Sequence, residues 1–225
     1  MLELCDDRLL LTVPTEEDLD DITAACQDPE VARWTTVPAP YTREHARGFV
    51  RDMVLPGWEQ GTSEVWALRG RATTRTPGDA PADLTPVRGM LGMVGLHGIA
   101  DGEAELGYWT APWARGQGLM TRAAAIVVEH AFADLDLVRL TWHAYVGNWP
   151  SRRVAWRLGF QVEGTLRAHG LQRGERIDSW AATLLRDDPR QPAEPWPAEA
   201  PADGRAVPIA ASRRYPVPSR ERMAR

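Results

Sequence analysis

Three places in this chain hold residue types that can do chemistry. One is a glycine-bearing turn headed by an arginine, Arg115-Gly116-Gln117-Gly118-Leu119-Met120, followed by Thr121. The second is a carboxylate on the preceding strand pattern, Glu105, and the third a hydroxyl at a later helix start, Ser151. The turn joins an alternating pattern over 103–111 to a helical pattern carried by Ala123, Ile126, Val127 and Ala131. A helix start leaves backbone N–H groups without partners, and its peptide dipoles add partial positive charge, so a phosphate is favoured there. Gly116 and Gly118 remove side chains that would hold a ligand off the backbone, and Arg115 adds a fixed charge. The same residues also suit a strand-to-helix turn that binds nothing.

Two other phosphate sites are excluded. A nucleotide P-loop needs Gly-Lys-Ser/Thr, and all 26 basic residues of this chain are arginine; a dinucleotide fingerprint needs a third glycine where Met120 and Thr121 stand. The absence of lysine also rules out a pyridoxal-phosphate aldimine. Cys5 and Cys26 lack metal-ligand spacing, and no metal site is expected.

The loop resembles the acyl-CoA pyrophosphate loop of the GCN5-related N-acetyltransferases (GNAT), Gln/Arg-x-x-Gly-x-Gly/Ala. Companion motifs stand in order: Glu105-Leu106-Gly107-Tyr108-Trp109 before it, then Asn148-x-x-Ser151, Gly159-Phe160 and Glu163-Gly164-x-x-Arg167. The set is similar to the RimJ/RimL branch, which acetylates protein N-terminal amines, and covers about 8–186. The resemblance implies an α/β (α+β) fold: a mixed, mostly antiparallel sheet of about six to seven strands, flanked by helices, with splayed central strands. It implies acetyl-CoA as co-substrate and a primary amine as acceptor, either a peptide N-terminus or a small molecule such as an antibiotic or amino-acid derivative. Monomer and homodimer are both compatible with it.

Acetyl transfer must hold the cofactor, deprotonate the amine, meet the oxyanion with a donor and release the thiolate. By the resemblance, the backbone of 116–120 with Arg115 holds the pyrophosphate, and strand amides of Leu106, Gly107, Tyr108 and Trp109 pair with the pantetheine arm. Strand alternation puts Glu103, Glu105 and Gly107 on one face, so Glu105 is the candidate base, acting through a water, or else a group that only orients the ammonium. The base role requires burial to raise its pKa. Many family members use a tyrosine as acid where this chain has Trp156, whose indole is no practical acid. The Asn-x-x-Ser pattern of the branch offers Ser151 instead, as a donor to the departing sulfur, whose thiol pKa is only about 8.5, or as a plain first-turn helix residue, and Asn148 serves as helix cap, cofactor contact or both. The resemblance also implies that the first two helices help form the acceptor wall, which makes Trp34 and Tyr41 candidate substrate-binding residues; simple packing explains them as well. Two departures stand out: Met120 replaces a small residue, and Arg122 replaces a glutamate and is in reach of the phosphates. Met120 and Trp156 motivate a different class, a non-catalytic acyl-CoA sensor.

At 225 residues and 44% hydrophobic content the chain suits one domain over 1–187. A net charge of −5 argues against broad nucleic-acid binding; no membrane segment or secretory signal is evident, and cytoplasm is expected. Strands are expected over 8–13, 63–69, 87–99, 103–111, 137–145, 161–166 and 178–185. Thr15 with Asp18 forms a helix-start box, Asp28-Pro29 opens a short helix to Trp34, and Thr42 caps a helix with Ala46, Phe49, Val50, Met53 and Val54 on its apolar side. Asn148 caps a helix that Gly159 stops. The glycines at 89, 92, 95 and 98 suggest a bulge or a close ligand approach. Residues 70–86 form a long excursion, either lid or surface insertion, and the proline-rich 188–225 is expected to be disordered or polyproline-like. His97, His143 and His169 lack ligand spacing and are expected to be structural or substrate-facing.

Overall fold

The computed structural model describes residues 2–71, 89–202, 205–206 and 214–217. Most of the expected 70–86 excursion lies outside them. The elements in chain order are β1 (Leu4–Cys5), β2 (Leu9–Thr12), α1 (Leu19–Cys26), α2 (Pro29–Trp34), α3 (Arg43–Gly48), α4 (Leu55–Gln60), β3 (Ser63–Gly70), β4 (Gly92–Ala100) and β5 (Glu103–Thr110). They continue with α5 (Leu119–Ala133), β6 (Arg139–Tyr145), α6 (Trp149–Arg157), β7 (Gln161–Gln172), β8 (Glu175–Leu185) and β9 (Arg214–Pro216). The strands form one sheet in the order β1-β2-β3-β4-β5-β6-β8-β7, with β9 on β8. Every pairing is antiparallel except β5 with β6. The mixed, mostly antiparallel sheet is as expected; the short β1 and β9 take it to nine strands.

Both sheet faces are buried, and β3 shows how the pleat feeds them. Trp66 and Leu68 enter a core with α5 and α6, whereas Val65 and Ala67 enter a second core with α1 to α4. Local chemistry starts the helices where the sequence indicates. Thr15 and Asp18 make a reciprocal capping box, Asp28 accepts from the amides of Glu30 and Val31, and Thr42 caps α3. A π-helical segment, Phe49–Val54, joins α3 to α4. Its wider turn keeps Ala46, Val50 and Val54 buried at a four-residue interval and rotates Met53 outward to 65% exposure, contrary to the apolar role expected for it. The β4 bulge falls between His97 and Ala100, with Gly98 at φ +63.

The segment expected to be a disordered tail packs, in part, onto α6. Trp196 lies edge-on to Trp156 (5.2 Å) and Trp149 (5.9 Å), Arg153 stacks over it at 4.8 Å, and Trp156 Nε1 donates to the Glu194 carbonyl (2.7 Å). Further along, β9 pairs with Glu175–Ile177 of β8 beyond the end of β6. Buried aromatic area and ring geometry outweigh the disorder that prolines and charges would favour.

Candidate active site

The parallel ladder between β5 and β6 is only three rungs long: Glu103 with Arg139, Ala104 with Leu140, Glu105 with Thr141. Beyond Glu105 the strands part. β5 stays with β4 as far as Thr110, and β6 follows β8 as far as Tyr145. A wedge therefore opens toward the carboxyl end of β5, and among the described residues main-chain groups of 107–110 on that edge have no strand partner. A short turn over Pro112–Ala114 then leads into the Arg115 loop and α5.

Gly116 and Gly118 take left-handed conformations (φ +78 and +72), and a Cβ at either would meet nothing within 4 Å. The need for glycine here is a matter of backbone angle and not of crowding. Gly118 is the N-cap of α5 and, among the described residues, no side chain bonds to that cap, so the first-turn amides are left for another acceptor. Met120 does not plug the mouth. Its side chain is 5% exposed and joins the main core, with Cε 3.2 Å from the position of a Cβ on Gly92. The glycine on β4 gives the thioether room that a small residue would not need.

The wedge and the helix start share one open cleft of ≈1000 Å³. Tyr108, Trp109, Thr110, Arg115, Gly116, Gly118, Met120, Thr121, Asn148 and Ser151 all line it, as does Trp34. Among the other expected residues, Leu106 is buried in the core, Leu119 is half-buried beside it, and the side chain of Gln117 points to solvent; they can contribute backbone only. Tyr41 is not on this wall. It is 6% exposed in the second core and contacts Cys26, whose thiol burial pushes up to about 12. Arg122 turns away as well, bridging Asp6 and Asp7 near β1. Trp156 faces the C-terminal segment.

Arg115 is anchored: its Nη2 donates to Asp28 Oδ1 at 2.6 Å. Burial raises the Asp28 carboxyl, but the Arg115 guanidinium and the amides of Val31 and Glu30 outweigh it and hold the group below its usual range. The loop is thus tied to the start of α2, which carries Trp34. Trp34 Nε1 in turn donates to Glu30 Oε2 (3.1 Å). Asn148 Oδ1 accepts from the Ser151 amide (3.3 Å), the cap role, while Tyr108 donates its hydroxyl to the Ser151 carbonyl (2.8 Å). Burial pushes the Tyr108 phenol well up, and its bond to the Ser151 carbonyl positions α6 against β5.

The sequence reading missed the cleft's charge. Arg33, Arg153, Arg157 and Arg205 line it with Arg115, and among the described residues Glu30 is the one acid in the lining. Arg153 and Arg157 are four apart on α6 and share a face, which the spacing alone could have revealed. A wall of this sign suits a polyanionic ligand. Glu105 is not part of the lining. It lies three residues before Tyr108, roughly 10 Å along an extended strand, and its side chain is 46% exposed, so the burial expected of a base is lacking.

The comparisons with known proteins agree with this geometry. The model of the Acetyltransferase (GNAT) domain matches residues 8–161, and the chain belongs to that family. It is an acetyltransferase, and solved structures of RimL and RimJ share its fold. YdaF of Bacillus subtilis, provisionally named a ribosomal N-acetyltransferase, is 31% identical over 52% of this chain and 58% of its own length. YoaA of the same organism, an uncharacterised N-acetyltransferase, is 25% identical over 80% of this chain and 94% of its own. Among solved structures, RimL, a ribosomal α-N-protein acetyltransferase in complex with coenzyme A, superposes with a TM-score of 0.68 at 18% identity, covering 82% of this chain and 98% of that one. At that identity the likeness shows the fold. Among the described residues no helix is long and apolar enough to cross a membrane, and no group of three or more His, Cys, Asp or Glu residues could hold a metal ion.

Proposed function

We propose that the chain transfers the acetyl group of acetyl-CoA to a primary amine, foremost a protein N-terminal amine, by direct attack within a ternary complex in the cytoplasm. The observation that carries this reading is the coincidence of the β5/β6 wedge with the uncapped start of α5 in one arginine-lined cleft. In this reading, amides of the first α5 turn hold the diphosphate and Arg153 and Arg157 add charge beside it. The free edge of β5 pairs with the pantetheine amides, and one N–H of that edge polarises the thioester carbonyl. The Ser151 hydroxyl, at the cleft wall, donates to the sulfur as it leaves. Trp34 and Glu30 face the acceptor, and Glu105 draws the amine's proton through a water. RimL is named for α-N-protein acetylation, and a short stretch of Escherichia coli ribosomal-protein-serine acetyltransferase is 36% identical over 64 residues; both favour a peptide acceptor.

Free thiol released from acetyl-CoA, measured with peptides beginning in Ser, Ala or Met beside a set of small amines, tests the proposal. Peptide-dependent release that Ser151→Ala lowers and Gly118→Glu abolishes is expected. Release with small amines alone would move the acceptor to that class, and binding of coenzyme A without release from any acceptor would leave a sensor.

A further inference from the structure

Resting on the acetyl-transfer reading, we propose that His143 is the positioning residue that drains the amine's proton from Glu105, forming with it a carboxylate–imidazole pair beneath the wedge. Glu105 stands at the last rung before the strands part, and His143 follows Thr141 on the same face of β6. Glu105 Oε2 and His143 Nδ1 are 3.2 Å apart. That nitrogen is buried and faces the Glu105 carboxylate, so a proton between the two can sit on either partner. The ring of His143 stacks on His169 from β7, with centroids at 4.7 Å and planes at 29°.

The chemistry needs such a group. An N-terminal ammonium has a pKa of about 7.7 and a free carboxylic acid one of about 4.3, so a carboxylate acting alone is in general a weak sink for an amine's proton. An imidazole behind it offers a proton site near neutrality. The step balances without any further reagent. The ammonium gives one proton through water to Glu105, the Glu105 carboxyl passes it to neutral His143 at Nδ1, and the imidazolium releases a proton to solvent as the free amine attacks. Contact with Glu105 raises the His143 pKa, burial opposes it, and Arg139, ion-paired to Glu103 at 2.6 Å, lowers it further. Burial, followed by the charge of His143, lowers the His169 pKa. His169 also feels Glu105 and Arg176, and His97 faces Glu105 from β4 with its ring 3.1 Å from where a Cβ on Gly107 would stand.

Two measurements test the pair. In ¹⁵N-labelled full-length protein, the His143 ring should titrate above 6.5, and Glu105→Gln should move that midpoint down while leaving His130 in place. With acetyl-CoA and a seryl peptide, the acid limb of kcat, which reports groups in the ternary complex, should lie above pH 6.5. His143→Gln should lower the plateau by about tenfold or more and shift the limb below pH 6.5, with the KM for acetyl-CoA unchanged. A limb that stays in place in His143→Gln, a limb moved by His97→Gln instead, or a His143 titration indifferent to Glu105→Gln would each overturn the proposal. If the peptide releases no thiol, the acceptor reading fails, while the ring titration still decides whether the pair is coupled.

Discussion

Glu105 and Thr141 face each other on the last rung of the parallel β5/β6 ladder, and the wedge that forms the inner part of the cleft opens beyond that pair. Past it, β5 turns its free edge toward α6, where Tyr108 reaches the Ser151 carbonyl, and then runs into the loop that begins α5. One divergence of two strands thus opens space, exposes main-chain donors and aims a helix start into the same volume.

The first prediction concerns that helix start. Gly118→Glu sets a carboxylate against unpaired amides and forces a left-handed residue to carry a side chain, a strain of about 1–2 kcal/mol. Coenzyme A affinity, measured by calorimetry, should fall by at least about tenfold. Gly118→Ala, which carries the strain without the charge, should lose less affinity for a similar drop in melting temperature.

Asp28 ties the Arg115 loop to α2, and its removal should loosen both. Asp28→Ala should cost about 1 kcal/mol of stability through the lost cap, and should weaken coenzyme A binding because Arg115 is no longer held. The carboxyl has a depressed pKa in the folded state. Its contribution is therefore present above the unfolded value near 3.8 and lost as pH falls through the lower folded value. Urea midpoints of the wild type and Asp28→Ala should converge below that range.

His130 carries a pH dependence of opposite sign. It is buried, with Nε2 2.7 Å from Glu64 and Nδ1 2.8 Å from Asp134, joining the end of α5 to β3. Burial lowers its pKa, but the two carboxylates outweigh it and the net shift is upward from 6.5. The stabilisation is full below 6.5 and is lost as pH rises through the folded value. Glu64→Gln should destabilise by roughly 1–3 kcal/mol at pH 6 and by less at pH 9, as read from denaturant midpoints.

Trp196 should matter to stability although it lies outside the matched domain. Trp196→Ala removes two aromatic contacts and a cation–π contact with Arg153, about 1–3 kcal/mol together. The melting temperature should fall by several degrees, with thiol release retained at lower temperature.

Much of this was legible in the sequence because its causes are local. The capping residues Thr15, Asp28, Thr42 and Asn148, the stop at Gly159 and the two loop glycines act within a few positions, and the structure uses each as its type suggests. What was not legible depends on distant partners. Arg122 finds Asp6 and Arg115 finds Asp28 across 116 and 87 residues. The resemblance offers Tyr41 as a candidate for the acceptor wall, but the core behind α1 claims it, as simple packing would have it. Met53 was lost to a π turn that shifts helix phase, and Trp196 to a composition that hides one well-packed ring among prolines. The histidines carry no spacing signal because β4, β6 and β7 each supply one.

The most direct test of the central claim is an amide-resolved NMR titration of the full chain with coenzyme A. The account predicts the largest shifts at the N–H groups of 116–121 and along 107–110, saturating together, with Gly118→Glu abolishing both. Saturable binding that leaves those amides unmoved, or shifts confined to another face of the sheet, would contradict it.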